Sequence, residues 1–83
     1  MNNDTLAKRL LEFAAILESN GENLYRVRAY RQAAVTIQGL NRPVAELVAV
    51  AGPRGLRGLP GVGASLAKTI AALAAGRSLA KAG

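Results

Sequence analysis

Leu59-Pro60-Gly61-Val62-Gly63-Ala64-Ser65-Leu66-Ala67-Lys68-Thr69-Ile70 joins a glycine-rich turn to an apolar helical series, and the architecture of the chain follows from it. Pro60 fixes φ ahead of two glycines, and Gly61 and Gly63 can take backbone angles closed to other residues. An apolar series of helical period, Val62, Leu66, Ile70 and Leu73, then begins. The pattern predicts a tight turn leading directly into a helix over about 63–75, closed by Gly76. So few side chains in the turn allow another backbone to come close. The free N–H groups of the helix start, with the helix dipole, form a place for a phosphate or other anion.

Working outward, Ala51-Gly52-Pro53-Arg54-Gly55-Leu56-Arg57-Gly58 has too many glycines for a regular helix. It predicts a single turn at about 53–57 with Leu56 pointing inward. Upstream, Asn41-Arg42-Pro43 opens a short helix over about 43–50, with Pro43 at its first helical position, where the missing N–H costs nothing. A longer helix is expected over about 24–38, with Val27, Tyr30, Ala34 and Ile37 inward and Gly39 ending it. Its other faces are basic: Arg26, Arg28 and Arg31 repel one another unless an anion lies nearby. The first helix, about 4–19, is capped by Asn3 or Asp4, carries Leu6, Leu10, Phe13 and Leu17 on one stripe, and stops at Asn20-Gly21. No segment alternates with period two. The expectation is an all-α, compact four-helix domain spanning 1–83 as one unit.

Composition bounds the function. With no cysteine and no histidine, disulfides, the usual zinc sites and imidazole acid–base chemistry are excluded. One Asp and four Glu scattered over three helices cannot converge as two-metal catalysis requires. The glycine turn lacks the Lys-Ser/Thr ending of a nucleoside-triphosphate loop. Amine chemistry by Lys8, Lys68 or Lys81 remains, and only Lys68 lies beside the turn. Eleven basic residues against five acidic ones give a net charge of +6, unevenly spread: residues 1–22 carry −2 and residues 23–83 carry +8. Such a field suits a polyanion. Asn2, Asn3 and Asp4 stand where a signal peptide would be basic and then apolar, and no run is long enough to span a bilayer. These features predict an intracellular protein, cytoplasmic or nucleoid-associated, without a membrane partner and monomeric.

Helix, Gly-x-Gly hairpin, helix is the layout of a helix-hairpin-helix motif, whose amides contact consecutive phosphates of one DNA strand without reading bases. Gly61, Val62, Gly63, Ala64 and Ser65 are expected to form that grip in this chain, and Arg54, Arg57, Lys68 and Arg77 to add the salt-dependent part of the affinity. Two blocks make the likeness specific. Tyr25-Arg26-Val27-Arg28-Ala29-Tyr30-Arg31-Gln32-Ala33-Ala34, followed downstream by the hairpin block, resembles the N-terminal domain of family X DNA polymerases over nearly the whole chain.

That resemblance implies a domain that binds gapped or nicked DNA and holds a 5′-phosphate, through Arg26, Tyr30, Arg31 and Ser65. It implies a monovalent cation, Na⁺ or K⁺, on the main-chain carbonyls of Arg57, Leu59 and Val62; no cofactor is otherwise required. In some relatives it implies removal of a 5′-deoxyribose phosphate through a lysine Schiff base. Here Thr69 occupies the position of that lysine, and Lys68 stands where an acidic residue is common. Adjacent helix positions point about 100° apart, so Lys68 is no simple replacement. The leading expectation is therefore a non-catalytic DNA-binding module. A Lys68-dependent 5′-deoxyribose phosphate or abasic-site lyase and a protein-interaction module are the alternatives.

Overall fold

The computed structural model describes residues 2–76. Its order is α1 (Asn3–Ser19), α2 (Leu24–Gln38), α3 (Val44–Ala51), a 3-10 turn η1 (Gly52–Leu56) and α4 (Ala64–Ala74). Among the described residues there is no strand. The all-α four-helix architecture expected from the periodicities is the one observed. The radius of gyration, 11.7 Å, matches the roughly 11 Å of a well-packed chain of this size.

Helical periodicity sets what each element buries. Leu6, Ala7, Leu10, Ala14 and Leu17 of α1 meet Val27, Tyr30, Ala33, Ala34 and Ile37 of α2, with Leu56, Val62, Leu66, Ala67, Ile70 and Leu73 completing the core. Every residue placed on an inward stripe of α1, α2 or α4 is buried, except Phe13, which is half-buried. Phe13 instead covers Tyr30, ring centroids 5.1 Å apart and tilted by 42°, an arrangement that suits the quadrupoles of two rings. Small residues allow this packing: Ala7, Ala14, Ala33 and Ala67 are all completely or almost completely buried.

The ends of the helices differ from expectation in two places, for identifiable reasons. Asn2, not Asn3 or Asp4, caps α1, its side chain accepting from the Thr5 N–H at 2.8 Å. That frees Asn3 for a tertiary task. Its Oδ1 accepts the Val44 N–H at 2.8 Å and its Nδ2 donates to the Arg42 carbonyl at 2.7 Å. Pro43 is accordingly extended (ψ 139°) and flanks α3 instead of occupying its first helical position. A proline ring offers no side-chain acceptor, so the cap for α3 is borrowed from α1, about forty residues back in sequence.

The expected single turn before the hairpin is present as η1, with Leu56 fully buried. It lies directly on α3. A Cβ built on Gly55 would come 2.8 Å from the Leu47 carbonyl oxygen, so only glycine permits that approach. α3 and η1 together therefore fix where the hairpin leaves the core.

Candidate nucleic-acid interface

The hairpin is built from a four-residue turn. Val62 N–H donates to the Leu59 carbonyl at 3.0 Å, with Pro60 and Gly61 at the two central positions. Gly61 has φ 79°, the left-handed value required at the third position of a type II turn. Gly63 behaves otherwise than the sequence suggests. It is extended (φ −90°, ψ −176°), a conformation any residue adopts, and a Cβ on it would meet nothing within 4 Å. Glycine at 63 is thus not demanded by the fold.

Gly63 is the residue preceding α4, and its carbonyl accepts the first helical bond, from Ala67 N–H at 2.9 Å. The amides of Ala64, Ser65 and Leu66 precede that bond and have no intrahelical acceptor. No side chain caps this end. By contrast, α1 and α2 are capped by Asn2 and Asn23. Gly61, Gly63, Ala64 and Ser65 are exposed, and Val62 between them is anchored in the core. The site is therefore an exposed run of backbone donors on a rigid base.

Charge is arranged in the same sense. From Leu47 onward the sequence contains no acidic residue. Arg54 and Arg57 on one side of the hairpin and Lys68 on the other are exposed and take part in no ion pair among the described residues. Arg77 and Lys81 lie outside the described residues.

The α2 residues are placed differently from one another. Tyr30 is only 6% exposed and belongs to the core. Arg31 donates to Glu18 of α1 at 3.0 Å, and Arg26 lies 3.9 Å from Glu22. Carboxylates of α1 and the turn after it thus offset the charge of Arg26 and Arg31, while Arg28 is exposed and forms no ion pair among the described residues. At about 100° per residue, Arg26 and Arg31 project about 140° apart around α2. Arg31 faces α1, so Arg26, Tyr30, Arg31 and Ser65 do not form one convergent set in this structure. On α4, Lys68 is exposed, and Thr69 is half-buried with its hydroxyl donating to the Ser65 carbonyl at 3.3 Å. Burial of the kind that activates an amine nucleophile is not found at Lys68.

Periodicity did not single out Thr36 and Gln32. Thr36 Oγ1 donates to the Pro60 carbonyl at 3.0 Å, and the Gln32 side chain lies against the Gly61 Cα, where a Cβ would come 2.7 Å from Cγ. Both fasten the hairpin to α2. Their signal is a tertiary one, 24 residues apart in sequence for Thr36 and Pro60.

A family model described as a helix-hairpin-helix domain matches residues 1–79. The chain belongs to the helix-hairpin-helix domain family. Domains of this family generally bind DNA. Comparison with curated proteins and with solved structures gives no match. Among the described residues of this helix-hairpin-helix domain, no helix is long and apolar enough to cross a membrane. No group of three or more acidic, histidine or cysteine side chains among them could hold a metal ion.

Proposed function

We propose that this helix-hairpin-helix domain is a sequence-independent DNA-binding module of the repair type, gripping the phosphate backbone and preferring gapped, nicked or 5′-phosphate ends. The observation that carries the first part is the uncapped, exposed start of α4 behind Gly61 and Gly63, in a region free of acidic residues. Amides aimed outward there match the acceptor oxygens of consecutive phosphates, which are the same for every base sequence. Arg54, Arg57 and Lys68 supply the attraction that salt weakens.

The preference for ends rests on the resemblance to the N-terminal domain of family X DNA polymerases and on Arg26. Its partner Glu22 is 3.9 Å away and half-exposed, a pair that a phosphate can displace at little cost. The main-chain carbonyls of Arg57, Leu59 and Val62 suit a Na⁺ or K⁺ ion, since neutral oxygens replace the hydration shell of such cations. The Leu59 oxygen already accepts the Val62 amide and keeps a second lone pair for this purpose. Such an ion would add positive charge beside the hairpin amides.

Gly63→Val is the decisive test. The fold tolerates the side chain, because nothing lies within 4 Å of that Cβ, so the variant should melt as the natural protein does and lose DNA affinity by at least tenfold in a fluorescence titration. Unchanged affinity would refute the backbone grip. For the finer part, gapped duplexes with and without a 5′-phosphate should differ in affinity, and the difference should shrink in Arg26→Gln.

A further inference from the structure

The orientation of one peptide plane decides what the hairpin can donate. Type I and type II turns differ mainly by a half-rotation of the central peptide, which here joins Pro60 to Gly61. That peptide is trans, as all are among the described residues, and it is rigid and planar, so its carbonyl and its N–H point in opposite directions. Whatever holds the Pro60 carbonyl therefore aims the Gly61 amide.

Thr36 holds it, at 3.0 Å, from the last turn of α2. A threonine inside a helix ordinarily returns its hydroxyl to a carbonyl of the preceding turn. This one is directed to the hairpin instead. One turn earlier on the same face of α2, Gln32 packs on Gly61, so α2 lies on the carbonyl side of the turn and solvent on the other.

We propose that Thr36 is a positioning residue for DNA binding: by fastening the Pro60 carbonyl to α2 it turns the Gly61 N–H outward, where a phosphate oxygen accepts it. Without the hydroxyl, the peptide is free to rotate toward the type I arrangement. The Gly61 amide would then face α2 and be lost to the ligand, although no charge and no apolar contact has changed. The inference rests on the DNA-binding reading of the same hairpin and adds the residue that presets it.

Thr36→Val keeps the shape and removes the hydroxyl; Thr36→Ser keeps the hydroxyl and removes a methyl group. Affinity for a nicked duplex should fall about three- to tenfold in the valine variant, the range of one net hydrogen bond, and return to within about twofold of the natural protein in the serine variant. The dependence on salt concentration should stay the same, since no cation was removed. In the free protein, the Gly61 amide resonance should move in Thr36→Val and return in Thr36→Ser. Natural affinity in the valine variant, failure of serine to rescue, or an unmoved Gly61 resonance would each overturn the proposal. Should Thr36→Val lose the fold, Thr36→Ala against Thr36→Ser gives the same comparison. If the natural protein bound no DNA at all, the backbone-grip reading would fail, while the Gly61 resonance would still decide the orientation without DNA.

Discussion

Gly55, Gly61 and Gly63 look alike in the sequence and do three different things. Gly55 makes room: a Cβ there would press on the Leu47 carbonyl, a backbone atom that cannot swing aside. Gly55→Ala should therefore destabilise the domain by about 1–3 kcal/mol, the range of overpacking, read as a lowered midpoint in urea. Gly61 supplies a left-handed φ, which costs another residue about 1–2 kcal/mol. The Cβ of Gly61→Ala would also meet Gln32, so this variant should lose stability and affinity together. Gly63 meets neither constraint, which makes it the one of these three whose replacement separates binding from folding. The sequence announces all three as flexible points, but φ and contact distances are needed to tell them apart, because both depend on what lies across the turn.

The elements owe their existence to local pattern and their ends to one another. Asn3 is legible as a cap, yet it serves α3 and not α1, since Pro43 leaves the Val44 amide without a local acceptor. Asn3→Ala removes both bonds, to Val44 and to Arg42, and should cost about 1–2 kcal/mol by analogy with lost N-caps, with amide exchange speeding up first at the start of α3. The Arg31–Glu18 pair between α1 and α2 is a weaker tie. Both side chains are half-exposed, so Glu18→Gln should change stability by less than about 1 kcal/mol.

Across the whole molecule, charge separates more sharply than the chain's net value suggests. Glu18 of α1 and Glu22 after it meet Arg31 and Arg26, while Arg54, Arg57 and Lys68 beside the hairpin form no ion pair among the described residues. Three such cations give a logarithmic dependence of binding on salt with a slope near about −3. Arg54→Gln and Arg57→Gln should each flatten that slope by about one, whereas Arg31→Gln should leave it nearly unaltered. Those slopes, measured by titration at several salt concentrations, locate the DNA on the molecule. The core beneath is thin. Ile70→Ala, at a fully buried position, should cost about 2–5 kcal/mol, a large part of what a domain of this size holds.

The four helices, the buried stripes, the hairpin and its basic surroundings are legible in the chain alone, because helical period, proline and glycine act over a few neighbouring residues. The sequence could not say that Arg31 is tied to α1, nor that Asn3 caps a distant helix. Which hairpin glycine is indispensable, and that Thr36 holds the turn in place, emerge only from the folded molecule. Those outcomes depend on what packs opposite a residue, and a chain's local pattern carries no record of that.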